Sequence, residues 1–162
     1  MAYRNGTYIA FHAGGTTDPT ASDIRYYRML KAWHANDPIE FKFINSHDKT
    51  SAVRDSSKKE TLRRALRERL NNSCNVVLVI GPTTRLDTDW VPFEISHAVD
   101  DCEMPIIAAY TGYKSVLDPA ALRPFWPASL ASRIDNGTAR VVHLPFKRFF
   151  IDDAISRFTV NK

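Results

Sequence analysis

Cysteine is scarce in this chain: Cys74 and Cys102 are the whole supply among 162 residues. Two thiols cannot build a disulfide framework, and without a C-x-x-C pair they offer no zinc clasp. Each sits beside an apolar run, so reduced, buried thiols in a reducing compartment are expected. No stretch approaches the roughly 18 apolar residues that a spanning helix needs. Met1 to Gly6 has no apolar segment behind it. The expectation is a cytoplasmic protein with no leader and no membrane partner. Glycine is also sparse, at six residues. Gly14-Gly15 does not complete G-x-G-x-x-G and no Walker sequence occurs, so the usual dinucleotide and P-loop sites are not indicated. H-E-x-x-H and G-x-S-x-G are missing too. His12, His34, His47, His97 and His143 have no metal-ligand spacing, so neither a metal nor a resident cofactor is expected.

What is present is ordinary in bulk. Hydrophobic residues make up 44% and charged residues 25%, the balance of a soluble globular protein. The length suits one domain over residues 1–162. Lys plus Arg outnumber Asp plus Glu by 22 to 18. An excess that small is compatible with an anionic small ligand or with nucleic acid and demands neither; no nucleic-acid partner is expected.

Short apolar runs alternate with helical patterns. Thr7 to Phe11 reads as a first strand, followed by a loop from Ala13 to Pro19. Asp23 to His34 reads as a helix with Ser22 as N-cap and Ile24, Tyr27, Met29, Leu30 and Trp33 on its apolar side. Ile39 to Ile44 alternates at period two, as a half-covered strand does. Asn45 to Ser56 is a polar loop. Ser57-Lys58-Lys59-Glu60 has the form of a capping box, and Leu62, Leu66 and Leu70 then recur on one helix face. Arg63, Arg64 and Arg67 lie largely off that stripe, as solvent cover or an anion-binding surface. Val76 to Ile80 fits a central parallel strand. A helix from about Asp89 to Asp101 follows, then a strand over Pro105 to Tyr110. The irregular stretch from Thr111 to Gly137 has room for one or two short helices. Arg140 to Leu144 is a last strand. Phe149 to Phe158 is a closing helix with Phe150, Ala154, Ile155 and Phe158 inward.

This alternation implies an α/β fold: a flavodoxin-like doubly wound sheet of five mostly parallel strands, order 2-1-3-4-5, with helices on both faces. Ligands in such folds bind outside the carboxyl ends of the strands. That edge carries Phe11 to Asp18, Asn45 to Ser56, Gly81 to Asp89 and Tyr110 to Tyr113. Within it, Gly81 and Thr83 belong to a turn that either lines a ligand or simply reverses the chain. His12 ends the first strand.

The densest local signal is Trp90-Val91-Pro92-Phe93-Glu94-Ile95-Ser96-His97. At 100° per residue, Val91, Ile95, Ala98 and Cys102 share one face, while Trp90, Glu94 and His97 share another about 120° away. A carboxylate between an indole and an imidazole suits chemistry. A solvated helix residue and two packing side chains give the plainer account.

Val77-Leu78-Val79-Ile80-Gly81-Pro82-Thr83-Thr84, followed by Trp90-Val91-Pro92-Phe93-Glu94-Ile95 and Ala98, resembles the bacterial TIR-like family that includes the TIR proteins of Thoeris antiphage defence systems. Ile9-Ala10-Phe11, Ile24 to Trp33, Phe41-Lys42-Phe43, Ser57 to Leu70 and Pro105-Ile106-Ile107 extend the likeness over most of residues 7–110. The resemblance implies a flavodoxin-like TIR fold. Its enzymatic members cleave the nicotinamide–ribose bond of NAD, and some join the ADP-ribose to itself as a cyclic signal. It makes Glu94 the catalytic carboxylate of a W-x-x-x-E element. It places Phe11, His12, Asp18, Asp48 in the Asn45–Ser56 loop, and Trp90 as candidate substrate contacts; Gly81 and Thr83 are candidates from their turn, and His97 from its place beside Glu94, outside the recognised element. His12 stands where the family often has serine. NAD is then a substrate rather than a cofactor. A homo-oligomer, a diffusible nucleotide acting on a separate effector and a phage-derived trigger are the implied partners. A non-catalytic TIR-like interaction module is the alternative. A flavodoxin-like phosphoacceptor domain fits poorly, because the first and third strands end on His12 and Gly81-Pro82 rather than on acidic residues.

Overall fold

The computed structural model describes residue 4 and residues 6–12, 23–35, 41–42 and 56–160. The elements are β1 (Thr7–Ala10), α1 (Ile24–Trp33), β2 (Phe41–Lys42), α2 (Ser56–Asn71), β3 (Asn75–Ile80) and α3 (Trp90–Ser96). They continue through β4 (Ile106–Tyr110), α4 (Ala128–Asp135), β5 (Val141–Pro145) and α5 (Arg148–Arg157). Two 3₁₀ turns, Thr84–Leu86 and Pro119–Phe125, precede α3 and α4, and a π turn over His97–Asp101 extends α3.

All strand pairs are parallel, in the spatial order β2-β1-β3-β4-β5. The α/β class and the parallel sheet follow directly from the strand–helix alternation. Every residue of β3 and β4 is buried, as strands covered on both faces must be. The two faces separate residue by residue. Tyr8, Ala10, Val76, Leu78, Ile80, Ile106 and Ala108 meet α2, α3 and α4. Ile9, Phe11, Val77, Val79, Ile107, Ala109 and Leu144 meet α1 and α5. Period-two alternation therefore assigns each strand residue to one of two cores.

Leu62, Leu66 and Leu70 form the buried stripe of α2, as their spacing predicts. That helix ends where Ser73 Oγ donates to the Arg69 carbonyl (2.7 Å) and Asn72 Nδ2 to the Glu68 carbonyl (3.0 Å). Those bonds occupy carbonyls that the last turn leaves open. His34, just past α1, bonds the Leu30 carbonyl through Nδ1 (2.8 Å) and pairs through Nε2 with Asp152 on α5. No helix among the described residues is long and apolar enough to cross a membrane. Cys74 is half-buried, Cys102 is buried, and neither is in a disulfide.

Several expectations are corrected. α2 begins at Ser56, so Ser57 is already helical and is not its N-cap. In α5 the inward residues are Ile151, Ala154 and Ile155, while Phe150 and Phe158 are exposed. On α1, Met29 faces outward. The helix expected to Asp101 closes as α-helix at Ser96 and widens into the π turn. The expected cap Ser22, the loop Asn45–Asp55 and most of the Ile39–Ile44 strand lie outside the described residues.

Candidate functional site

The carboxyl edge of the sheet is closed by a buried polar network. Asp23, at the start of α1, is 3% exposed. Its backbone N–H donates to the His12 carbonyl (3.0 Å), tying α1 to the end of β1. Its Oδ2 accepts from Thr84 Oγ1 (2.7 Å), and the same hydroxyl accepts from the Gly81 N–H (2.8 Å). Burial raises the Asp23 pKa above the usual 3.8, opposed by the Thr84 bond and the nearby His12. Gly81 is required here for close approach: a Cβ would lie 2.5 Å from Asp23 Oδ1 and 3.1 Å from Thr111 Oγ1.

A second tie fixes the start of α3. Asp87 Oδ1 accepts from the N–H groups of Asp89 (2.9 Å) and Trp90 (3.0 Å). Its Oδ2 meets His12 Nδ1 at 3.3 Å. A carboxylate at a helix start serves both the open amides and the positive end of the helix dipole. Asp89 turns outward to Lys59 Nζ (2.6 Å) and Arg63 Nη2 (3.4 Å) on α2. Arg63 and Arg67 also lie over the Phe93 ring, at 5.8 and 5.4 Å. Two of the three arginines expected as solvent cover thus brace α2 against α3.

Trp90 and Glu94 do not line an open cleft. Trp90 is 4% exposed and packs in the core beneath α2, and Glu94 is 1% exposed. α3 packs against both α2 and α4, and the burial of Trp90 and Glu94 leaves the face that carries them covered as well. Trp90 and Glu94 lie one turn apart on one side of α3. Trp90 Nε1 is buried and finds no acceptor among the described residues. The Tyr8 phenol on β1 shares this layer. Burial, then the Glu94 charge, hold its pKa well above 10.0, with Arg69 opposing.

His97 leaves the group. Its Nε2 meets Asn71 Oδ1 (2.8 Å), its Nδ1 meets Asp101 (2.9 Å), and its ring stacks on Phe93. Those contacts belong to the other end of α3. Phe11 is fully buried and stacked on Tyr27, with ring centroids 4.8 Å apart, so its faces are occupied. Thr83 is half-buried and opens the 3₁₀ turn, its carbonyl accepting from the Leu86 N–H (2.9 Å). Asp18 and Asp48 lie outside the described residues. The structure therefore groups Trp90 with Glu94, and joins His12 and Gly81 through Asp23.

Asp23, Thr84, Asp87 and Tyr8 were not singled out from the sequence. Asp87 carries a readable signal, an acidic residue three positions before a helical Trp. Asp23 and Tyr8 carry none, because their partners are remote in sequence. Beside this network, Tyr110 at the end of β4 accepts from Trp126 Nε1 and donates to His143 Nδ1, both at 2.7 Å. Burial pushes the Tyr110 phenol up to about 12 and pulls His143 below 6.5.

Residues 8–115 match the model of the family described as Thoeris protein ThsB, TIR-like domain. The match includes the Gly81 turn, the Asp87 tie and the Trp90–Glu94 pair. β5 and α5 follow it in sequence and complete the same sheet and core.

Proposed function

Because the chain belongs to the TIR-like domain family of the Thoeris protein ThsB, we propose that it acts in antiphage defence signalling by cleaving the nicotinamide–ribose bond of NAD. The observation that carries this reading is Glu94, a carboxylate 1% exposed against the core layer that holds Trp90 and Tyr8. Packing alone favours an apolar side chain there, since burying a carboxylate costs several kcal/mol before compensation. Groups held at such cost cluster at functional sites. The Trp90 N–H, without an acceptor among the described residues, is a donor for a substrate oxygen once the site opens.

In the proposed reaction the C1′–N bond of NAD breaks and its electron pair leaves with neutral nicotinamide. The ribose gains oxocarbenium character. A Glu94 carboxylate near the 2′ and 3′ hydroxyls stabilises that charge more than it stabilises bound NAD, which is what lowers a barrier. Water adding at C1′ and losing a proton gives ADP-ribose. A hydroxyl or amine held there instead gives a cyclised or conjugated nucleotide, the product class proposed for a diffusible signal to a separate effector. NAD is substrate, and the proposal includes a homo-oligomer of a single TIR-like domain and a phage-derived trigger.

Glu94 and Phe11 are covered in this arrangement, so turnover requires α3 and its neighbours to open around the carboxylate. The same covering favours a second reading, a non-catalytic interaction module. Incubating the purified protein with NAD, with and without infected-cell extract, and weighing all nucleotide products by mass spectrometry separates them. Nicotinamide release with an ADP-ribose-derived product is expected. Unchanged NAD under both conditions would leave the module.

A further inference from the structure

The amino edge of the sheet, away from the polar network at the carboxyl edge, holds a cavity of about 350 Å³ where β4, β5 and the end of α5 meet. Its walls include Ile106, Val141, Val142 and Phe158, with Arg140 and Arg157 at its rim. From this we propose a second binding site, for a compact organic anion: one phosphate or carboxylate on a flat apolar body.

The donors come first. Arg140 gives one N–H, from Nη2, to the Glu103 carbonyl (2.7 Å) and pairs with no carboxylate among the described residues. Arg157 is tied through Nε to Asp153 Oδ1 (2.8 Å), which leaves its two terminal nitrogens for a ligand. Two guanidinium forks at one rim suit a phosphate or carboxylate, whose oxygens accept paired N–H bonds.

The apolar wall is built in advance. Asn75, fully buried, donates from Nδ2 to the carbonyls of Ile155 (3.0 Å) and Phe158 (2.8 Å). Val160 N–H bonds the Cys74 carbonyl (2.9 Å). These bonds pin the segment after α5 to the start of β3, so the Phe158 backbone is held while 42% of the residue stays exposed. A volume near 350 Å³ falls at the small end of ligand pockets, enough for a single ring and its anionic group.

A second cavity, about 390 Å³, lies against Arg140 on the side of the α3–β4 turn. Asp100 and Glu103 line it, and their carboxylates disfavour an anion there. The preference therefore falls on the β5 side of Arg140. Glu103 itself sits at φ 53°, a conformation uncommon for a residue with a side chain, and Arg140 holds its carbonyl. The arginine is thus fixed at the boundary between the two cavities.

The test is an amide-resolved NMR titration of the whole ¹⁵N-labelled protein with phenyl phosphate. Benzoate tests a carboxylate source, and inorganic phosphate and benzyl alcohol carry the charge and the ring separately. Saturable shifts are expected at Ile106, Val141, Val142 and Phe158, strongest with phenyl phosphate or benzoate. Arg157→Gln should weaken both anions by about tenfold or more, as loss of a charge-assisted bond does, and leave benzyl alcohol unchanged. Arg140→Gln should do the same, but Arg157→Gln decides because its side chain serves no other element. Absence of saturable shifts at these amides at millimolar probe overturns the proposal, as does equal anion affinity in Arg157→Gln. Neither result depends on whether NAD is turned over.

Discussion

The two edges of the sheet solve opposite problems. At the carboxyl edge, polar groups are buried and tied to one another: Asp23 to Thr84, Thr84 to Gly81, His12 to Asp87, Asp87 to the first amides of α3. At the amino edge, cavities stay open and two arginines keep donors facing outward. The costly arrangement is the closed one, and cost is the better guide to selection for function, because buried polar groups persist only where something compensates them. The amino edge has a buried tie of its own, Asn75 to the Ile155 and Phe158 carbonyls, but its two arginines are exposed and easy to alter.

Substitutions should expose that asymmetry. Gly81→Ala pushes a methyl group into the Asp23 carboxylate and the Thr111 hydroxyl. Asp23 cannot swing aside without leaving Thr84, so a loss of about 2–3 kcal/mol is expected in urea unfolding. Thr84→Val keeps the shape but strands the Gly81 N–H and removes a donor from Asp23, for about 1–2 kcal/mol. Asp87→Ala removes the cap of α3 and should cost about 1 kcal/mol. At the other edge, Arg157→Gln should stay within about 0.5 kcal/mol of the parent. Equal losses at both edges would break the contrast.

Acid titration sharpens it further. The native state holds the Asp23 proton more tightly than the unfolded chain does, because burial raises its pKa. Its contribution is therefore full below 3.8 and is lost as pH rises through the raised value. Asp23→Asn should flatten that part of the stability profile. His143 runs the other way. Burial keeps it below 6.5, so the unfolded chain binds the proton first and stability falls as pH drops through 6.5. His143→Gln should remove that slope. Thermal midpoints across pH 3 to 8 check both directions.

The elements that periodicity describes were legible: β3 as a continuous aliphatic run, α2 from its leucine spacing, and the alternation that makes a parallel α/β sheet. Periodicity misled where a helix is covered on more than one side. α3 packs against α2 and α4 as well as the sheet, so the angle separating Glu94 from Val91 did not put Glu94 in solvent. It misled again in α5, where Phe149-Phe150-Ile151 offers three large apolar residues in a row and only Ile151 reaches the core. The polar ties were invisible for a different reason. Thr84 and Asp23 are 61 positions apart, and His12 and Asp87 are 75, so only the folded chain brings them together. The Trp90–Glu94 element was legible as a pattern, and its burial was not.

Glu94→Gln, measured for stability and for NAD turnover in the same preparation, tests the central claim most directly. A carboxylate kept buried for chemistry should be dispensable for folding. The account predicts a variant as stable as the parent or up to about 1–2 kcal/mol more stable, with nicotinamide release reduced by about 10²-fold or more. A variant that turns over NAD at the parental rate, or that unfolds while the parent stays folded, would contradict it.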